Sequence, residues 1–181
     1  MAEDLSNVVT DSDAALVERI RTGDRAAFDT LVQRHQAIVY RVCYRILGEQ
    51  EDAADATQEA LLRAYRKLDT FRGQSAFKTW LMRLTVNVSL NERERRKATL
   101  PLDEVLLATL PDHSTDLAQA EAVTQIHQAL QQVPPNHRAA VVLRDLEGFS
   151  YAEVAIALGV PEGTAKGWAH RGRSRLKDLL T

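Results

Sequence analysis

Cysteine is nearly absent: Cys43 stands alone, so an internal disulfide is excluded and nothing marks an oxidised compartment. It lies beside Val42 on an apolar helical stripe, where a small buried hydrophobe is the expected role. Long apolar runs are missing too. No stretch of 18 apolar residues occurs, and the first residues lack a basic segment followed by an apolar one. A soluble, cytoplasmic chain with no membrane insertion is expected. The histidines, His35, His113, His127, His137 and His170, show no metal-like spacing with one another or with Cys43. No phosphate-cradling glycine loop or nucleophile–base pairing is recognisable either. Catalysis, a metal and a cofactor therefore have no candidate residues.

What is present is charge, unevenly spread. A net charge of -2 argues against a nucleic-acid partner only if it is uniform. Residues 63–97 hold ten Lys/Arg against three Asp/Glu, whereas residues 100–126 contain acids and no Lys or Arg. The average conceals two basic blocks and an acidic connector. A chain of 181 residues accommodates one domain or two small ones, each with a modest core.

The most informative stretch is the last, residues 150–181. Ser150 and Glu153 form an S-x-x-E capping box, with Phe149 and Val154 placed as a hydrophobic staple. A helix is expected from Tyr151, with Val154, Ala155 and Leu158 inward, ending at Gly159. Pro161 suits the first turn of a second helix. That helix carries Lys166, Arg171, Arg173, Arg175 and Lys177 against only Glu162 and Asp178. A basic surface helix on an ordinary bundle would share its charge. Cap, glycine turn and one-sided cations together favour a groove-reading helix-turn-helix.

Upstream, residues 1–12 read as a loose tail. Leu16, Val17 and Ile20 mark a first helix, with Gly23 as its stop. A second opens near Asp24 and places Phe28, Leu31, Val32, His35, Ile38, Val39, Val42 and Ile46 on one stripe until Gly48, which makes His35 a core histidine rather than a ligand. A third runs from about Glu51 to Leu68, with Ala54, Leu61, Ala64, Tyr65 and Leu68 expected inward. Its outer face begins acidic and ends basic, which complements the helix dipole. After the loop DTFRGQ (69–74) comes Ser75, a plausible cap, then a long helix to about Lys97 with Phe77, Trp80, Leu81, Leu84 and Val88 inward. Arg83, Asn87, Asn91 and Arg95 recur every four residues on another of its faces. Amides and cations beside an aromatic loop suit an unpaired nucleic-acid strand. Phe71 itself reads equally as a stacking platform or as core, whereas Trp80 reads as core.

Residues 98–115, with two prolines and no sustained period, read as a linker. Helices resume near Asp116, where Leu117, Val123, Ile126, Leu130 and Val133 share a face. Pro134 and Pro135 separate that helix from one carrying Ala139, Ala140, Val142, Leu143 and Leu146. The expected fold is all-α: a domain over 13–97 and a compact four-helix domain over 116–181, joined by a flexible acidic linker.

The motifs DATQE (55–59), FRGQSAFKTWL (71–81), Asn87, GFSYAEVA (148–155) and GVPEGTAK (159–166) together resemble the group 4, or extracytoplasmic-function (ECF), bacterial RNA polymerase sigma factors. The likeness covers nearly all of residues 13–180 except the linker. It implies that Asp55, Gln58 and Glu59 dock on the beta-prime clamp helices of core polymerase. Phe71 and Asn87, with neighbours such as Gln74, resemble the pocket for a base flipped from the non-template strand of the minus-ten element. Lys166, Gly167, His170 and Arg171 match positions facing the minus-35 major groove, with Arg173 near phosphate. The linker resembles the segment that threads the polymerase toward its RNA exit path; the beta subunit of core polymerase and an anti-sigma factor are further expected partners of a chain that is monomeric when free. Two departures bear on base preference. Gly167 and Trp168 replace a common serine and arginine, and Gln74 stands where an acid is common.

Two function classes fit these residues. One is a promoter-specificity subunit of polymerase, without catalysis of its own. The other is a stand-alone helix-turn-helix repressor or activator, whose N-terminal domain senses or dimerises. The Phe71 loop and the asparagine track speak for the first.

Overall fold

The computed structural model describes residues 11–99 and 117–181, and side chains over 11–98 and 121–181. Residues 1–10 of the expected tail, most of the linker, Asp116 and the Leu117 side chain lie outside these, whereas Ser12, assigned to the tail, caps the first helix. The described residues form eight α-helices and no strand, and none of the helices is long and apolar enough to cross a membrane.

Helix α1 (Asp13–Arg21) is capped by Ser12, whose side chain accepts from the Ala15 amide. Thr22 is its C-cap, and Gly23 follows in the left-handed region (φ 101°) as the expected stop. Helix α2 (Arg25–Leu47) buries Leu31, His35, Ile38, Val39, Val42, Cys43 and Ile46, and closes at Gly48 in the left-handed conformation (φ 93°). His35 is a core residue whose Nε2 lies 2.7 Å from an Asp13 carboxylate oxygen. Cys43 is fully buried, and burial pushes its thiol pKa up.

The inward face of α3 (Gln50–Lys67) differs from expectation. It is Ala53, Ala56, Ala60 and Ala64, while Ala54 is exposed, Leu61 is half-buried and Tyr65 is 44% exposed. The contact with α2 and α4 uses side chains small enough for close backbone approach, and the bulkier Tyr65 is left to meet Phe28 edge-on at 4.9 Å. A 3-10 turn (Leu68–Thr70) then leads to the loop before α4 (Phe77–Thr99). Ser75 is no cap: its hydroxyl bonds the Ala76 carbonyl, and the Trp80 amide also donates to that carbonyl. Helix α4 buries two faces, because Thr79, Met82, Thr85, Val86 and Ser89 are covered as well as Phe77, Leu81 and Val88. Thr85 and Ser89 satisfy their hydroxyls on carbonyls four residues back.

Helices α5 (Leu117–Gln131), α6 (Pro135–Val141), α7 (Tyr151–Leu158) and α8 (Glu162–Leu180) make the second unit, with a π turn (Val142–Leu146) between α6 and α7. Among the described side chains of α5, Leu130 is the one expected apolar residue that is covered, with Ala129. Val123 and Ile126 are exposed, and Leu146 at the end of the π turn is exposed too. The core of this unit holds the expected Val133, Ala139, Ala140, Val142, Leu143 and Val154, joined by Val141, Phe149, Ala157, Ala165 and Ala169. Helix α7 packs on α4 and α8 on α6, so the two units touch.

Candidate nucleic-acid interface

The helix-turn-helix forms as its sequence dictates. The Ser150 side chain accepts from the Glu153 amide at 3.2 Å, and Glu153 accepts from the Ser150 amide at 2.8 Å. These bonds, the backbone amide first, hold the Glu153 carboxyl below its ordinary pKa. Phe149 and Val154 are both buried and Gly159 is left-handed at φ 66°. Pro161 sits at the N-cap in extended geometry, so α8 starts one residue later than its proline suggests.

On α8, Ala165, Ala169 and Gly172 face inward while Lys166, His170, Arg171, Arg173 and Arg175 are exposed. Three of these cations are engaged at home. Arg173 donates to both Asp145 carboxylate oxygens and to the Tyr151 hydroxyl, all at 3.2 Å, and the Arg144 guanidinium lies 4.6 Å from the same ring's centroid. Arg171 folds back along its own helix. Its Nε donates to His137 Nε2 at 3.3 Å, and its guanidinium covers Gly167, where an added Cβ would meet Nη1 at 3.4 Å. His137 is held below its ordinary pKa by burial and by the charge of Arg171, which suits a neutral ring that accepts. Lys166 pairs with Glu162 at 2.9 Å. The half-buried Trp168 leans on His137 at 6.4 Å.

Gly172 was not singled out by sequence. An added Cβ there would lie 2.5 Å from Val141 Cγ2 and 2.9 Å from the His137 carbonyl oxygen. Glycine is what lets α8 seat on α6, and an inward helical position among small residues was the signal available.

The second surface is on α4. Arg83, Asn87, Asn91 and Arg95 are all exposed at four-residue spacing, and Arg95 pairs with Glu92 at 2.8 Å. Gln74 in the adjoining loop is exposed, but Phe71 is not: it is 7% exposed, its ring packed on Phe77 at 5.7 Å and Trp80 at 5.3 Å. Its carbonyl accepts from Arg21. Of its two readings, the observed position is core, and the ring anchors the loop beneath the track.

The third surface is on α3. Asp55 and Gln58 are exposed, and Glu59 accepts from Arg63 at 2.5 Å. Leu62, on the same side one turn on, is 46% exposed, an apolar contribution that the charge pattern concealed. The three surfaces are thus arranged on three helices, and among the described residues no His/Cys/Asp/Glu cluster could hold a metal.

Residues 31–99 match the sigma-70 region 2 family and residues 124–176 match sigma-70 region 4. The chain is 41% identical over 171 residues to the ECF RNA polymerase sigma factor SigM of Mycobacterium tuberculosis, covering 93% of this chain and 85% of that protein. The chain belongs to the ECF RNA polymerase sigma factors. It is also 33% identical to the RNA polymerase sigma-H factor of Pseudomonas aeruginosa, covering 94% of each. Among solved structures, CnrH in complex with the cytosolic domain of CnrY superposes with a TM-score of 0.71 at 25% identity, covering 94% of this chain and 97% of that one. The fold of this ECF sigma factor is thus that of an all-helical, two-domain relative.

Proposed function

We propose that this sigma factor docks on core polymerase through Asp55, Gln58, Glu59 and the neighbouring Leu62, and reads two promoter elements with its two domains. The domains are taken as residues 13–97 and 116–181, with 98–115 the link that threads the enzyme. The exposed row of Arg83, Asn87, Asn91 and Arg95 carries this reading. A repressor that reads duplex DNA through its helix-turn-helix has no use for a second polar track beside an aromatic-anchored loop. Along that row guanidiniums would meet phosphates while the amides and Gln74 would meet base edges of an unpaired strand. Phe71 fixes the loop from beneath. A base extruded from its stack costs a few kcal/mol, which the captured contacts offset.

At the minus-35 element Lys166, His170 and Arg171 would face the major groove across Gly167, with Arg173 at the phosphates. Arg171 has the fork geometry for a guanine edge. To use it, the side chain leaves His137 and Gly167. The protein works beside polymerase in the cytoplasm and performs no catalysis. An anti-sigma factor is its expected regulator, and the sigma factor RpoE of Bartonella quintana, at 24% identity, is solved with its own, NepR.

The test is a charge reversal away from either DNA surface. Asp55→Lys with Glu59→Lys should abolish co-elution with core polymerase and promoter-specific transcription while leaving the fold intact by circular dichroism. Tight, sequence-specific DNA binding by the purified chain alone, undiminished in that double mutant, would favour the repressor.

A further inference from the structure

Helix α1 has no part in the three surfaces, and it precedes residues 31–99, the segment that matches the sigma-70 region 2 family. It is nonetheless firmly placed. Leu16 and Val17 are each 1% exposed. The Asp13 carboxylate meets α2 twice, accepting from Arg34 Nη1 at 2.6 Å and lying 2.7 Å from His35 Nε2. The His35 ring in turn rests on Phe77 at 5.5 Å, and Phe77 meets Phe71 at 5.7 Å and Trp80 at 5.6 Å. The first turn of α1 is thus tied, through α2, to the aromatic cluster under the loop before α4.

The last turn of α1 reaches that loop directly. Arg21 Nη2 donates to the Phe71 carbonyl across 50 residues of chain, while Nη1 donates to Glu18 one turn back and so orients the guanidinium. Among the described residues this is the one hydrogen bond between residues 71–76 and an element other than the preceding 3-10 turn or α4. A cation in the last turn also suits the helix dipole. Arg19 serves that purpose as well, but it pairs with Asp11 and Asp24 and leaves the loop alone. The dipole gives no reason for Arg21 to seek a carbonyl on another element, whereas a charged donor makes one of the stronger bonds open to a surface side chain.

The stretch that this bond holds has little else to fix it. Past Phe71 come Arg72, Gly73 and Gln74, all exposed. Gly73 is left-handed at φ 70°, and an added Cβ there would meet nothing within 4 Å. Packing therefore does not choose the path of the loop, and the choice falls to its two ends. At the far end the Trp80 amide donates to the Ala76 carbonyl at 3.1 Å. At the near end the Phe71 ring fixes the position of its residue, and the Arg21 bond fixes the direction of its carbonyl. Because the peptide is planar, that direction also sets the amide that leads into Arg72.

We propose that α1 positions the strand-capture loop, and that Arg21 is a positioning residue that holds the peptide after Phe71 so that Arg72 to Gln74 keep one conformation before a base arrives. The inference rests on the strand-capture reading given above. A loop that samples several conformations binds with its affinity reduced by the fraction in the competent one, and fixing it beforehand removes that loss. Phe71 anchors the loop from beneath, and Arg21 orients it from the side.

Two readouts test this. On the free chain, tryptic cleavage after Arg72, quantified by mass spectrometry, follows the open fraction of the loop. Arg21→Met keeps the apolar stem and removes the donors, and cleavage there should rise roughly fivefold or more, with helix content unchanged by circular dichroism. On the holoenzyme, affinity is measured for a promoter duplex whose minus-ten non-template strand is left unpaired, intact or with an abasic site at each position in turn. The wild type should show a penalty at the captured base. Arg21→Met should shrink that penalty roughly fivefold or more by weakening the intact complex, with the abasic complex and co-elution with core unchanged. Arg21→Lys, which keeps a charged donor, should return the penalty to within about twofold of wild type. Arg19→Met, which removes a cation from the same helix end, should leave both readouts unchanged. Unaltered cleavage after Arg72 or a full penalty in Arg21→Met, or equal losses in Arg19→Met, would overturn the positioning role alone. A wild type with no penalty at any minus-ten position would instead remove strand capture itself, and this proposal with it.

Discussion

Two glycines five residues apart on α8 carry opposite consequences. At Gly172 a Cβ would strike Val141 and the His137 carbonyl oxygen, groups without a flexible end to move aside. Gly172→Ala should destabilise by about 1–3 kcal/mol, the usual cost of overpacking, despite alanine's better helix propensity. At Gly167 the nearest atoms are the mobile tip of Arg171, so Gly167→Ala should stabilise by about 0.5–1 kcal/mol. Urea unfolding of the two variants should shift in opposite directions, and equal shifts would refute the packing account. At the same scale, Arg171→Ala should cost about 1–3 kcal/mol of discrimination at one minus-35 position, read from a randomised-promoter transcription assay. An unchanged base preference would remove Arg171 from readout.

At the scale of elements, α7 was the most legible part of the chain, because capping box, staple and left-handed glycine are all local chemistry and all three are present as expected. Its cap also titrates. The Glu153 carboxyl is held below its ordinary value by the Ser150 bonds, so its contribution is fully present above the unfolded value near 4.5. It is lost as pH falls through the lower folded value. Glu153→Gln should flatten that acid limb in a pH series of thermal unfolding, and Ser150→Ala should cost about 0.5–2 kcal/mol at neutral pH. A limb unchanged in Glu153→Gln would show that another carboxyl sets it. The faces of α3, α4 and α5 were less legible. Sequence periodicity ranks residues by hydrophobicity, whereas α3 needed small ones and so turned alanines inward in place of Tyr65. Thr79 on α4 meets Glu153 of the other unit, Ser89 is covered beside Cys43 of α2, and Val123 and Ile126 on α5 are left exposed. No periodicity within one helix reports that. Phe71 shows the same limit, since a loop aromatic can be platform or core until its neighbours are known. Being buried, Phe71→Ala should lower stability by about 3–5 kcal/mol, whereas the exposed Asn87→Ala should leave stability within about 0.5 kcal/mol and reduce open-complex formation alone. Permanganate reactivity of promoter thymines distinguishes them, and a normal pattern in Asn87→Ala would take that amide out of strand capture.

For the whole molecule, charge placement decides what the free chain can do with DNA. Ten cations in residues 63–97 and the α8 cluster are balanced almost to neutrality by acids elsewhere, five of them in residues 100–126. A net charge of -2 gives a weak long-range attraction for phosphate, and carboxylates tethered beside both basic blocks compete with it. Arg173 and Lys166 are already committed to Asp145 and Glu162. Docking on core should cover the acids of the Asp55 to Glu59 face and leave the cations of α4 and α8 the nearest partners for phosphate. Promoter binding should therefore appear with core and be poor without it. In both cases log affinity should fall linearly with log salt concentration, with a steeper slope for the holoenzyme because more phosphates are neutralised at once. Equal slopes with and without core would mean that docking exposes no new phosphate contacts, and the charge distribution would then have to serve solubility rather than the timing of DNA binding.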